Sequence, residues 1–147
     1  MSLAQKLLLF CLCFFVFSIA SVAIAAERVL NNPPDASGPF SQSVTAGDLI
    51  YLSGQLGIAP GQKELPRGIE AQTRQCMDNV MAALQNAGSS IDKLVKINIY
   101  LDDMDDYDTV NKIYAEYFKN GFPARTCLEV GGIPMGALIE IEAVALK

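Results

Sequence analysis

The hydrophobic pattern of the chain begins with a segment unlike anything that follows it. Residues 7–17 form an unbroken apolar run, which follows Lys6 and leads into small residues that end at Ala26. A positive start, a short apolar core and a small-x-small triplet are typical of a secretory signal peptide. We predict that residues 1–25 are such a leader and that the product is exported, to the periplasm or outside a cell that has no outer membrane. An uncleaved membrane anchor is the alternative, because residues 7–26 carry no charge and are just long enough to span a bilayer.

The remaining residues, 26–147, suffice for one domain, and their pattern alternates between the helix and strand periods. Apolar residues recur at helical spacing over residues 69–87, where Gly88 ends the run, and again over residues 105–118. Residues 31–39 are rich in proline and predict an extended loop. Strand patterns, the first two joined by a hairpin turn, cover residues 41–45, 49–53, 95–101, 125–130 and 137–146. This order predicts an α+β fold, a mixed β-sheet with two helices packed on one face and a right-handed crossover between parallel strands.

Charged side chains alternate with apolar ones in the last two predicted strands. Arg125 and Cys127 share one face of their strand, and Glu140 and Glu142 share one face of the final strand. If the apolar faces of both strands lie under the helices, Arg125 and Glu140 belong together on the second face of the sheet. If a partner subunit covers that face, these charges become partly buried, and each then requires an opposite charge or a role in binding or catalysis. The structural alternative, which spacing alone favours, is a cross-strand ion pair worth about 0.2–1 kcal/mol.

Composition excludes several kinds of chemistry. The chain has a net charge of −5 and no His. An acidic domain repels phosphate backbones, so nucleic acid is not an expected partner. The absence of His excludes Ser-His-Asp and Cys-His catalysis and imidazole-ligated zinc, and we predict neither a metal site nor a cofactor. Cys76 lies on the apolar stripe of the first predicted helix, which indicates a buried small hydrophobe rather than a reactive thiol.

Five short segments resemble the motifs of the Rid (YjgF) family and occur in the family's order. They are residues 38–42 (Gly-Pro-Phe-Ser-Gln), 52–55 (Leu-Ser-Gly-Gln), 110–111 (Val-Asn), 122–125 (Phe-Pro-Ala-Arg) and 140–143 (Glu-Ile-Glu-Ala). The resemblance extends from about residue 32 to residue 146, and it is most specific after residue 122. It implies a YjgF/chorismate-mutase-like fold that assembles as a homotrimer with a barrel-like core and a ligand cleft at each subunit interface.

The same resemblance implies a hydrolase activity. Family members deaminate reactive 2-imino acids, such as 2-iminopropanoate and 2-iminobutanoate, to 2-keto acids and ammonia without a metal or cofactor. By position, Arg125 matches the residue that holds the substrate carboxylate, for which a planar guanidinium fork is well suited. Glu140 matches the acid that positions the attacking water. The other positions implied to line the pocket are Phe40, Ser53, Gly54, Asn111 and Cys127.

One of these positions departs from the family pattern. Phe40 stands where many members have Tyr, so a phenolic hydroxyl is missing while the ring remains. Two alternatives to the deaminase stay open. The same fold could bind a small 2-keto or 2-imino acid without turning it over, or it could act as a chaperone-like protein through its outer surface. Ribonuclease activity ranks last, because the domain is acidic and has no His.

Overall fold

The computed structural model describes residues 27–33 and 38–147. The predicted leader, residues 1–25, lies outside these ranges. Within them, no helix has both the length and the apolar character that crossing a membrane requires.

Six strands, numbered along the chain, form one mixed β-sheet. They are β1 (Arg28–Asn31), β2 (Ser43–Ala46), β3 (Leu49–Leu56), β4 (Leu94–Leu101), β5 (Ala124–Glu129) and β6 (Ile139–Leu146). Their order across the sheet is β1-β2-β3-β6-β4-β5, so the last strand to be synthesised lies between β3 and β4. Neighbouring strands are antiparallel except β4 and β5, which are parallel. A parallel pair requires a crossover connection, and the second helix supplies it.

Strand β1 was not predicted, because its residues were assigned partly to a loop. Val29 and Leu30 are adjacent and both about half exposed, so the segment has no period-two pattern for sequence analysis to detect. It is held by pairing with β2 and by Asn31, whose Nδ2 donates hydrogen bonds to Ser43 Oγ (3.2 Å) and Thr45 Oγ1 (2.9 Å). The predicted hairpin of β2 and β3 is confirmed.

Two helices pack on one face of this sheet, as predicted. Helix α1 spans Ile69–Asn86 and ends before Gly88, which adopts a positive φ of 80°. Helix α2 spans Tyr107–Ala115 and is shorter than predicted at its C-terminal end. There the backbone tightens into turns, in which the amides of Tyr117 and Phe118 donate to carbonyls three residues earlier. Both side chains still pack against the core. The apolar pattern in the sequence therefore predicted correctly that these residues are buried, but it did not predict where the helix ends.

The core lies between the helices and the sheet. Alternate residues of β4 and β6, among them Ile99 and Ile141, are completely buried beneath the stripe of α1 that includes Val80. Cys76 is also completely buried, and its Sγ donates a hydrogen bond to the carbonyl of Gln55 at 2.8 Å. Burial raises the pKa of the Cys76 thiol. The prediction that Cys76 is a buried hydrophobe is therefore confirmed.

The prediction that Arg125 and Glu140 share a sheet face is wrong for a single chain. Paired residues on neighbouring strands point to the same face, and Arg125 pairs with Ile97, which is completely buried on the helix side. Glu140 instead pairs with Tyr100 on the face that no helix covers. Strand β5 is at the edge of the sheet, and there its apolar residue Leu128 is 51% exposed on the open face. The sheet itself therefore separates the arginine from the carboxylate.

Candidate functional site

Arg125 is held by three side chains from one face of α2. Its Nη1 donates to Asn111 Oδ1 at 2.6 Å and its Nη2 donates to the Tyr107 hydroxyl at 3.1 Å. Its Cζ lies 5.5 Å and 5.1 Å from the ring centroids of Tyr107 and Tyr114, at distances typical of cation–π contacts. Residues 107, 111 and 114 are four and three apart, so they share a helix face. These contacts fix the plane of the guanidinium and leave other N–H groups of Arg125 free to bind an anion.

The surroundings of Arg125 are concave and mostly apolar on one side. Arg125, Asn111 and Tyr114 line an open hollow of about 330 Å³ together with Phe122 and Pro123. The Tyr114 hydroxyl is buried without a hydrogen-bond partner among the described residues, and burial raises its pKa to about 12. The hollow combines a fixed cation with aromatic walls, a combination that favours a small carboxylate with an apolar body.

Cys127 lies two residues beyond Arg125 on the same face of β5. It lines a neighbouring hollow together with Tyr107 and Asp108. Burial raises the pKa of the Cys127 thiol, and the positive charge of Arg125 opposes that rise only in part. The thiol is therefore protonated near neutral pH and is a weak nucleophile. We name the group formed by Arg125, Tyr107, Asn111, Tyr114 and Cys127 the arginine cluster.

The second group of predicted site residues lies on the open face. Strand β3 contains one extra residue opposite β6 between Leu52 and Gln55, a β-bulge that includes Ser53 and Gly54. This bulge brings the backbone of Gly54 against Glu140, since an added Cβ would lie 1.7 Å from Glu140 Oε1. Only glycine allows that approach without displacing the carboxylate.

Ser53 connects this bulge to the segment that carries Phe40. Its Oγ donates to the carbonyl of Ser41 at 2.7 Å, and its backbone amide donates to the carbonyl of Gln42 at 3.0 Å. Phe40 itself is 65% exposed, so its ring is accessible to a ligand or to another chain.

Glu140 has a carboxylate neighbour two residues along β6. Burial raises the pKa of Glu140, and the negative charge of Glu142 raises it further. Glu142 is held in place because its Oε1 accepts hydrogen bonds from Asn98 Nδ2 (2.7 Å) and from the Tyr100 hydroxyl (2.8 Å). We name Glu140, Glu142, Ser53 and Gly54 the glutamate cluster.

The predicted site residues thus fall into two groups, except Phe40, which is exposed and belongs to neither. Arg125, Asn111 and Cys127 lie together on the helix side of the sheet edge, and Glu140, Gly54 and Ser53 lie together on the open face. Within the described residues, no three His, Cys, Asp or Glu side chains are grouped so as to hold a metal ion. Sequence reasoning missed four residues that complete the groups, although helical spacing from Asn111 and strand alternation from Ile99 could have indicated them: Tyr107, Tyr114, Asn98 and Tyr100.

The fold and the two clusters define a small α+β domain with an arginine held at one sheet edge and a partly buried carboxylate on the opposite face. The chain belongs to the YjgF/Rid family, because residues 30–147 match the family model described as Endoribonuclease L-PSP.

Individual relatives agree with this assignment. A RutC family protein of Pyrococcus horikoshii is 44% identical over 117 residues, which cover 79% of this chain and 93% of that protein. The human protein named 2-iminobutanoate/2-iminopropanoate deaminase is 42% identical over 115 residues, which cover 78% of this chain and 84% of that protein. Among solved structures, the Rid family protein YyfA of Yersinia pestis, described as of unknown function, has a TM-score of 0.78 and 41% identity, covering 82% of this chain and all of its own.

Proposed function

We propose that this protein hydrolyses 2-imino acids such as 2-iminopropanoate and 2-iminobutanoate to 2-keto acids and ammonia. The observation that carries the proposal is the arginine cluster, in which Asn111 and Tyr107 hold the Arg125 fork open towards a hollow of about 330 Å³. A fixed guanidinium binds a carboxylate through two parallel hydrogen bonds. The human relative named as a 2-iminobutanoate/2-iminopropanoate deaminase supports the choice of reaction.

The complete site requires a second subunit in this proposal. One chain cannot present Arg125 and Glu140 to the same small substrate, because they lie on opposite faces of its sheet. In a homotrimer built on one repeated head-to-tail contact, the arginine cluster of each subunit faces the glutamate cluster of the next. Such a contact also covers the uncovered sheet face and the exposed edge strand β5. Each trimer then contains one cleft per interface.

The reaction needs only a group that binds the substrate and a general base, because an imine carbon is already electrophilic. Arg125 binds the substrate carboxylate and fixes the imine carbon relative to Glu140 of the neighbouring subunit. Glu140 accepts a proton from water as the water oxygen bonds to the imine carbon. The proton then passes to the nitrogen, which gives a carbinolamine with an amino and a hydroxyl group on the same carbon. The hydroxyl proton moves to the amino nitrogen, the carbon–nitrogen bond breaks, and ammonia leaves as the carbonyl forms. Water and the imino acid are thus converted to the keto acid and ammonia, with no other reactant.

A semicarbazide-competition assay tests the proposal. A dehydratase that depends on pyridoxal phosphate generates 2-iminobutanoate, and semicarbazide traps whatever the protein does not hydrolyse. We expect the purified protein to suppress the semicarbazone signal in proportion to its concentration. Binding of 2-ketobutyrate without suppression would instead support the small-carboxylate-binding alternative. Failure to suppress the signal, together with a chaperone-like activity that is the same in Arg125→Ala and wild type, would support the chaperone-like alternative.

Gly54→Ala is expected to lower kcat by about 100-fold, because a displaced base loses the near-attack geometry. The added Cβ would meet the end of the flexible Glu140 side chain, which can rotate away and leave the fold intact. We therefore expect the melting temperature to fall by less than about 4 °C, which corresponds to less than about 1 kcal/mol. Gly131→Ala is the matched control, since nothing lies within 4 Å of a Cβ at that position. Normal turnover by Gly54→Ala would contradict the role of the bulge.

Glu142→Gln is expected to move the acid limb of the kcat–pH profile to lower pH. The substitution removes the charge that adds to the rise in the pKa of Glu140, while burial, the larger cause, remains. The pKa of Glu140 then falls, so the base is ionised at lower pH. The substituted amide can still accept from Asn98 and Tyr100. Glu129→Gln is the control, because Glu129 accepts from the Met104 amide at 3.1 Å and does not contact Glu140. A limb that stays in place or moves to higher pH would contradict this coupling.

A further inference from the structure

The hydroxyl of Tyr107 lies against the guanidinium of Arg125 but was not singled out by the sequence motifs. Arg125 Nη2 donates to it at 3.1 Å, and the Tyr107 ring faces the Arg125 Cζ at 5.5 Å. Tyr107 is the first residue of α2 and is 37% exposed. It also lines the hollow that contains Cys127.

The hydrogen of this hydroxyl cannot point at Arg125. A phenol has one hydrogen to donate and lone pairs with which to accept, whereas a guanidinium only donates. Because Tyr107 accepts from Arg125, its own hydrogen is directed elsewhere. In the described part of the chain, Arg125 is the one residue that shares a hydrogen bond with this hydroxyl. A donor thus remains open beside the anion-binding fork.

We propose that Tyr107 contacts the substrate, and that its hydroxyl donates to the same carboxylate oxygen that Arg125 Nη2 binds. This inference rests on the proposed function and names a further binding group for it. The hydroxyl oxygen is 3.1 Å from Nη2, so a carboxylate oxygen on the hydroxyl side of Nη2 can lie at hydrogen-bond distance from both groups. The bond is charge-assisted, because its acceptor is ionised. Tyr107 and Arg125 together then bind the carboxylate of the substrate.

A purely structural role for Tyr107 makes a different prediction. If the hydroxyl only aligned Arg125, its loss would disturb the orientation of the bound imine and lower kcat. If the hydroxyl binds the carboxylate, which is unchanged in the transition state, its loss raises KM and leaves kcat unchanged. Tyr107→Phe separates the two cases, since it keeps the ring beside Arg125 and removes only the hydroxyl.

The experiment compares wild-type protein with Tyr107→Phe and with Tyr117→Phe as the matched control. The Tyr117 hydroxyl bonds to the Arg74 carbonyl and to Asp78 Oδ1, both at 3.2 Å, and lies outside both clusters. Calorimetry with 2-ketobutyrate gives Kd, and the imine assay gives KM and kcat. We expect Tyr107→Phe to raise Kd and KM by about 10-fold, as for the loss of one hydrogen bond to a charged group, with kcat within about twofold of wild type. The control should match wild type in all three.

Two results would overturn the role of Tyr107 and leave the proposed function standing. One is wild-type Kd and KM in Tyr107→Phe, and the other is a fall in kcat larger than the rise in KM. Failure of the proposed function is seen in the wild-type protein alone. Wild-type protein that neither binds 2-ketobutyrate nor turns over the imine overturns both ideas. Wild-type protein that binds it without turning over the imine overturns the hydrolysis, and the comparison of Kd values still decides the role of Tyr107.

Discussion

Arg125→Ala is expected to lower kcat/KM for 2-iminobutanoate by about 10³-fold while the protein keeps its fold and assembly. The substitution removes two charge-assisted hydrogen bonds to the carboxylate, each worth about 1.5–3 kcal/mol. The fold should survive, because the partners of Arg125, the Asn111 amide and the Tyr107 hydroxyl, lie at a partly exposed edge where water can replace the guanidinium. The semicarbazide assay measures the loss, and size-exclusion chromatography with a thermal melt measures the integrity of the protein.

Arg125→Lys distinguishes the geometry of the fork from its charge. Lysine keeps the positive charge but cannot form two parallel hydrogen bonds, so we expect it to recover little of the lost activity. Arg74→Ala is the matched control, because Arg74 forms an exposed ion pair with Glu116 at 2.7 Å outside both clusters. It should leave turnover unchanged. Normal turnover by Arg125→Ala would remove Arg125 from the site and the proposed reaction with it.

Glu140→Gln is expected to lower kcat by about 10²- to 10⁴-fold, the usual contribution of a positioned general base. The amide has the same shape as the carboxylate but cannot take a proton from water at neutral pH. KM should change little, since Arg125 and not Glu140 binds the carboxylate. Single-turnover kinetics over a range of pH would show the remaining activity without the acid limb of the wild-type profile. An unchanged pH profile would remove Glu140 from proton transfer.

Mixing the two inactive variants tests whether the site is shared between subunits. When Arg125→Ala and Glu140→Gln chains are refolded together, about a quarter of the interfaces in random cyclic assemblies receive an intact arginine from one chain and an intact glutamate from the next. We expect activity to return in the mixture and not in either variant alone. A mixture of verified mixed trimers that stays inactive would contradict a site built across the interface.

Much of the fold could be predicted because its elements carry clear periods. The stripe through Cys76 and Val80 predicts α1, and the β-branched alternation around Ile97 and Ile99 predicts β4. Strand β1 could not be predicted, since an edge strand with both Val29 and Leu30 exposed lacks the alternation that burial imposes. Local pattern therefore identifies the elements that face the core and misses those that do not.

The arrangement of the candidate site was harder to predict than its residues. The expectation that apolar faces lie under the helices holds for the central strand β6 but fails for the edge strand β5. There Leu128 is exposed, and Arg125 packs its guanidinium against the rings of Tyr107 and Tyr114. A long side chain can bury its stem and keep its charged end accessible, so hydropathy alone does not determine its face. The register of β5 against β4 resolved the question, and register depends on contacts far apart in the sequence.

The central place of β6 determines when the chain can fold. Strands β1 to β3 and strands β4 and β5 are joined into one sheet only through β6, which is made after all of them. The six-stranded sheet can therefore be completed only after residues 139–146 have been synthesised, so its closure joins strands that are far apart in the sequence.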